Sequence, residues 1–277
     1  MKKQLLAILV VICTVSFSHA QSGQPARDQL IEDILQRSGA KRQIEGVWEV
    51  MEAQLAERQT DADPKIFLQV SQGLKDAYRA DVLYQAVLNH FRKNFDRDRM
   101  LAFQQWLETP LSQKVTELEM HYATREGREE RVKFAKKFRY LSKRPERLAL
   151  IKRLDTATKA SAAAAEISVS TVASMMEAVN AVLPPEKQAS PEQLKQLSEN
   201  LRTRLGDTIQ QAMLISYYHT YSALSDAELE QYVRFYESEP GRWASQQWIN
   251  ALSNALTIAG QDAARKLAKS LAGAKQG

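Results

Sequence analysis

The chain has 277 residues, with 38 Lys and Arg against 33 Asp and Glu and a formal net charge of +5. Ten Gly and eight Pro are few for that length; this argues against a loop-rich β fold and for long helices joined by short connections. Cys13 is the single cysteine, so no disulfide can form within the chain and stability has to come from a packed core.

The first residues read as an address. Met1-Lys2-Lys3 is a short cationic start, followed by an apolar run from Leu5 to Phe17 and then Ser18-His19-Ala20. That three-part layout predicts a secretory signal cleaved after Ala20. The run is too short to span a bilayer comfortably, which takes about 20 apolar residues. Val10-Val11-Ile12 ahead of Cys13 does not suit lipidation, which prefers small residues there. A periplasmic protein without cysteine is the expected product, of about 257 residues and one or two domains.

After Asp28 the apolar residues recur at helical spacing, and strand-like alternation is missing. Leu30, Ile31, Ile34 and Leu35 predict one helix. Ile44, Val47, Trp48, Met51 and Leu55 predict the next. Asp63-Pro64 suits a cap and first helical position. It opens a long predicted helix through Phe67, Val70, Leu74, Tyr78, Leu83, Val87 and Phe91. Asp96 caps a short helix with Met100, Phe103, Trp106 and Leu107 inside, and Thr109-Pro110 starts another.

The second half repeats this order. Leu150, Ile151 and Leu154 match the first helix at an offset of 120. Val172, Met175, Met176, Val179 and Leu183 match the Ile44 helix at 128, and Ser190-Pro191 matches Asp63-Pro64 at 127. Leu197-Ser198 and Leu201 match Val70-Ser71 and Leu74. At 129, His90 falls on His219, Met100 on Leu229, Phe103 on Tyr232 and Trp106 on Phe235. Ordered recurrence of caps, prolines and aromatics predicts an internal duplication. The drift in offset places an insertion in the Ala-rich stretch from Lys159 to Ser168. The expected fold is all-α, two tandem diverged helical-bundle units with a basic connecting helix. The expected boundaries are a signal over 1–20, an N-terminal unit over 21–124, a connector over 125–146 and a C-terminal unit over 147–277. The stretch from Ala160 to Leu183 carries Glu166 and Glu177 and several Ser, Thr or Asn residues. It predicts a helix buried in protein, and no span of the membrane is expected after the signal.

One motif is legible as chemistry of the backbone. Ser225 and Glu228 have capping-box spacing. Leu229, Tyr232, Val233 and Tyr236 then share one helical face. Ser238 can cap the following helix, and Pro240-Gly241 suits a tight corner. With Leu224, Asp226 and Phe235, these residues resemble the signature of a bacterial exported family, the domain of unknown function 2059. Its pattern opens "leu-(ser/thr)-x-x-glu-leu" and closes "phe-tyr-x-ser-pro-x-gly". Here Pro240 follows Ser238 one place later than in the family. The match covers Leu194 to Leu256. In the first copy Trp106-Leu107 stands for the Phe-Tyr pair and Ser112 for the Gly, while Thr109-Pro110 keeps the usual Pro position. The resemblance implies an all-helical exported protein of Gram-negative bacteria, and it implies no activity, cofactor or catalytic residue.

Candidate sites are few. Tyr218, His219, Tyr221 and Tyr232 form an aromatic and imidazole cluster with Tyr217, Phe235 and Tyr236. It could line a pocket or form a core with hydroxyls at its rim; the core reading is preferred. His90 and His219 occupy matched positions, yet no metal-ligand spacing accompanies them, so no metal and no cofactor are expected. Ser38 and Lys41 have the Ser-x-x-Lys spacing of penicillin-recognising enzymes without the companion motifs. A hydrolase acting through Tyr218, His219 and Glu228 is the least favoured alternative.

Arg125 to Arg153 holds twelve Lys or Arg against four Glu. Phe134, Phe138 and Leu141 share one face of it. Lys133, Lys136, Lys137 and Arg139 are candidates for contact with an anionic membrane surface; the plainer reading is a connector with solvated charges. Nucleic acid is not expected for an exported chain. The function expected from all this is a non-enzymatic binding or scaffolding module. Its partner would be an envelope protein or, as the alternative, an anionic membrane surface.

Overall fold

The computed structural model describes residues 23–56, 64–182, 186 and 188–274. The signal-like segment and Asp63 lie outside them. Among the described residues every regular element is a helix. In chain order these are α1 (Gly23–Arg37), α2 (Ala40–Glu45), α3 (Val47–Ala56), α4 (Pro64–Ala77), α5 (Ala80–Lys93), α6 (Arg97–Leu107), α7 (Pro110–Ala123), α8 (Arg125–Phe138), α9 (Pro145–Thr158), α10 (Ala160–Val182), α11 (Pro191–Thr220), α12 (Asp226–Glu237) and α13 (Glu239–Ala274).

The expected caps are in place. The Asp96 carboxylate accepts from Arg99 N–H. Ser190 with Gln193 and Ser225 with Glu228 form reciprocal capping boxes. Each satisfies amides that the first helical turn leaves without partners. Two expected helices are broken. Gly46 separates α2 from α3, and Tyr78-Arg79 separates α4 from α5. The second break redirects the chain so that Leu74, Ala77 and Tyr78 on one side, and Leu83, Val87, Leu88 and Phe91 on the other, enter one core. The connector is also shorter than expected: α8 ends at Phe138, and a turn carries the chain to Pro145.

Helix order invites comparison between the halves. α1 and α9 are each followed by a left-handed residue, Gly39 at φ 72° two positions after Arg37 and Lys159 at φ 54° directly after Thr158. Ser38 and Thr158 precede them, and Ala40 and Ala160 open the next helices. Gly tolerates that conformation, whereas a lysine adopts it only where the surroundings hold it.

Two cores form. The first holds Ile31, Ile34, Leu35, Ile44, Leu83, Val87, Phe91, Met100 and Leu107. Ala251, Ala255, Ala259 and Ala263 of α13 complete it. Their spacing of four puts small side chains on one face, so α13 lies close against α4 and α5. The second core joins Val115 of α7 to Leu150, Ile151 and Leu154 of α9 and to Tyr221, Leu224, Leu229, Tyr232 and Val233. The Ala-rich α10 packs between α11 and α13. Among the described residues no helix is long and apolar enough to cross a membrane.

Candidate functional site

Helix α8 packs on α7 and α11 and leaves its other side to solvent. Its start is fixed by a hydroxyl corner. Thr124 Oγ1 donates to the His121 carbonyl at 2.7 Å and accepts from Gly127 N–H at 3.1 Å. The same corner recurs at Thr109, with Trp106 and Ser112, and at Ser238, with Phe235 and Gly241. At Gly127 a Cβ would fall 2.4 Å from the His121 oxygen, and at Gly241 it would fall 2.0 Å from the Phe235 oxygen. Glycine therefore permits the close approach at 127 and 241, while the corner at Thr109 accommodates Ser112.

One face of α8 is committed to the bundle. Phe134 stacks on His219 and Phe138 meets Tyr218 edge-on, with centroids 4.3 and 5.5 Å apart. Arg131 donates to Ser216 Oγ at 3.3 Å, and burial lowers its pKa. The opposite face is solvent. Lys133, Lys136, Lys137 and Arg139 are exposed there. Tyr140 is 74% exposed, with the Arg139 guanidinium over its ring at 4.6 Å, and Val132 is 57% exposed. From Arg131 to Arg144 the sequence has seven basic side chains and no acidic one. Among the described residues Arg144 is the member of that run that forms an ion pair, with Asp226 at 2.9 Å. Elsewhere Arg92, Arg147, Arg153 and Arg202 each face a carboxylate.

The aromatic cluster lies inside. Tyr221 and Tyr232 are buried in the second core, and both hydroxyls donate to Glu119 Oε1, at 2.7 and 2.9 Å. Burial raises the Glu119 pKa against the pull of those two hydrogen bonds. Burial, and then the nearby Glu119, push Tyr221 and Tyr232 well above the usual tyrosine range. Tyr217 packs on Tyr221, and Tyr236 on Tyr232. Tyr218 accepts from the Arg144 amide at 3.4 Å. Ring against ring thus fills the space among these residues. The shallow cavity between α10 and α13, lined by Ile167, Thr171, Leu256 and Gly260, lies elsewhere.

His219 and His90 are not brought together. His90 Nε2 pairs with Gln247 at 2.9 Å beside the first core. His219 lies under α8 between Phe134 and Tyr122. Its Nε2 is buried without a hydrogen-bond partner, and burial lowers its pKa. Among the described residues no group of His, Cys, Asp or Glu could hold a metal ion. Ser38 donates to the Leu35 carbonyl, and Lys41 Nζ lies 5.6 Å over the Tyr84 ring, so each has a local role.

The family-like motif is a joint between the halves. Asp226 holds Arg144 and the buried Arg147, the latter at 2.6 Å. Arg147 also donates to the Tyr221 carbonyl. Glu228 meets Lys114 at 2.7 Å, which, with the Ser225 amide and hydroxyl, holds its carboxyl down at about 2. Leu224 and Leu229 are core, and Phe235 stacks on Trp106 at 4.2 Å and 5°. Tyr236 covers Tyr232. Glu237 takes Arg153 at 2.8 Å together with Glu230 at 2.7 Å.

Sequence reasoning missed Glu119, Arg147 and Arg153. Glu119 stands four residues after the buried Val115, on the stripe that includes Leu111 and Leu118. A carboxylate on an apolar stripe was the readable signal. Arg147 has the same signature beside Leu150 and Ile151.

Fold and surface together define an all-helical protein in which Glu119, Tyr221, Tyr232 and Arg147 are hydrogen-bonded in the interior and in which a run of cations without a carboxylate, Arg131 to Arg144, covers the second half of α8 and the turn after it. Comparison with protein-family models, with curated proteins and with solved structures gave no match.

Proposed function

We propose that this chain is a non-enzymatic binding module that docks an anionic partner through the outer face of α8. The observation that carries the reading is the set of exposed cations Lys133, Lys136, Lys137 and Arg139, none with a carboxylate within ion-pair distance among the described residues. A cationic face without carboxylates beside it raises the local concentration of anions and speeds their encounter. The non-enzymatic part rests on Glu119, whose Oε1 is taken by two tyrosine hydroxyls, and on His219, shielded by two rings.

Two further readings accompany it. The matched left-handed residues Gly39 and Lys159 and the matched corners at Thr109 and Ser238 support descent from two copies of one helical unit, and the motif from Leu224 to Gly241 supports kinship with the exported family named above. The leader pattern alone supports export to the periplasm; N-terminal sequencing of the processed protein should then begin at Gln21.

Retention on immobilised dextran sulfate tests the docking face. The Lys133, Lys136, Lys137, Arg139→Glu variant should elute at much lower salt than the unaltered chain, with helicity unchanged by circular dichroism. A control with the same charge change spread over Lys75, Lys93, Lys195 and Arg204, all exposed, should lose far less. Equal loss in the two variants would overturn the reading.

A further inference from the structure

We propose that the anionic partner is a lipid bilayer with acidic headgroups, met by the outer face of α8 together with Tyr140 on the turn that follows it. This rests on α8 being the docking face and names what it docks.

The first argument is the spacing. Lys133, Lys136, Lys137 and Tyr140 stand at i, i+3, i+4 and i+7, which puts them on one helical face. The Tyr140 amide still donates to the Lys137 carbonyl, at 2.9 Å, and Leu141 to Phe138 at 3.2 Å. The turn after α8 is therefore folded, and it carries the aromatic ring as a fixed projection.

The second argument is what lies between the cations. An acidic protein needs only charge opposite charge. Here Tyr140, Val132 and Leu141, 74%, 57% and 39% exposed, are interleaved with the cations and flank them at the helix end. A tyrosine with an apolar body and a polar tip suits the headgroup level of a bilayer. Lysine stems can lie along apolar surface while their ammonium groups reach phosphates. The combination is that of an interfacial amphipathic segment.

The third argument is preorganisation. Free amphipathic peptides fold as they bind, and the ordering opposes binding. α8 is already held by Phe134 on His219 and by Phe138 on Tyr218. Its inner apolar face is thereby occupied, so contact is limited to the outer face and the tip. Shallow, salt-sensitive and reversible attachment follows.

Vesicle sedimentation with the full chain lacking its first twenty residues tests this. Vesicles of phosphatidylcholine alone are compared with vesicles containing phosphatidylglycerol. The protein should sediment with the acidic vesicles, not with the neutral ones, and should be released by high salt. Lys133, Lys136, Lys137→Gln should weaken partitioning by about a hundredfold, from about fivefold per cation at an acidic surface. Tyr140→Ser, which leaves the charge unchanged, should weaken it several-fold. Equal, poor sedimentation with both vesicles, alongside retained binding to dextran sulfate, would overturn the bilayer and leave the docking face standing. Loss of neither binding in the Gln variant would overturn both. Unchanged partitioning of Tyr140→Ser would overturn the role given to the ring.

Discussion

The imidazole of His219 lies face to face with Phe134, centroids 4.3 Å apart and planes 10° from parallel. One residue is near the end of α11 and the other in the middle of α8, so the stack is a principal attachment of α8. Burial favours the neutral ring, and Arg131 and His121 push the same way; Glu130 opposes them. The folded pKa is thus below the unfolded value of about 6.5. The stabilisation this gives is fully present above that value and is lost as pH falls through the folded pKa. Protection of the α8 amides, corrected for the intrinsic exchange rate at each pH, should fall between about pH 7 and pH 5, ahead of the rest of the bundle. His219→Phe keeps a stacking ring without the proton and should flatten that dependence. An identical pH response in the variant would remove His219 as the cause.

Glu119 should show the opposite sign. Its folded pKa is raised, so the native state holds a proton that the unfolded chain releases near its ordinary carboxyl value. Its contribution is complete below about pH 4.5 and is lost as pH rises through the folded pKa. Thermal denaturation across that range should show the wild type losing ground to Glu119→Gln, which keeps an acceptor for Tyr221 and Tyr232 and cannot ionise. Glu119→Ala leaves both hydroxyls without their acceptor and should cost about 1–3 kcal/mol at any pH. A Gln variant that tracks the wild type at every pH would refute the assignment.

Glycine and left-handed positions separate four effects that substitution tables merge. Gly241→Ala drives a Cβ to 2.0 Å from the Phe235 oxygen and should cost about 2–3 kcal/mol. Gly73→Ala and Gly206→Ala meet nothing within 4 Å inside α4 and α11, and each should stabilise by about 0.5–1 kcal/mol. Lys159→Gly relieves a left-handed lysine and should stabilise by about 1 kcal/mol. Its counterpart Gly39→Ala should destabilise, since the left-handed strain is joined by a 2.6 Å approach to Met120 Sδ. Urea denaturation midpoints give all five values, and a stabilised Gly241→Ala would contradict the corner geometry.

Local features were legible in the sequence because their partners are close along the chain. Ser225 with Glu228, Asp96 with Arg99 and Ser190 with Gln193 are each complete within one helical turn. The inner face of α8 was legible because Phe134 and Phe138 sit four apart. Periodicity was less informative where one core is served from two directions. The apolar pattern runs through Tyr78-Arg79 without a pause, since the residues on both sides of the break enter the same core. Nor does periodicity say what a buried face meets. His219 and Tyr221, two residues apart, face different surroundings: one lies under α8, the other against Glu119 across the second core. Ala251, Ala255, Ala259 and Ala263 recur at a spacing of four in the sequence, and nothing local tells that they belong to the first core.

That last contact bears on how the polypeptide can be made. The core around Ile31, Leu83 and Met100 is closed by residues of α13, which leave a ribosome some 150 positions later than Met100. The first half therefore cannot complete its packing while the second is being synthesised, and domain-by-domain folding from the N-terminus is closed to it. Until the middle of α13 arrives, the faces that will meet Ala251, Ala255 and Ala259 stay uncovered.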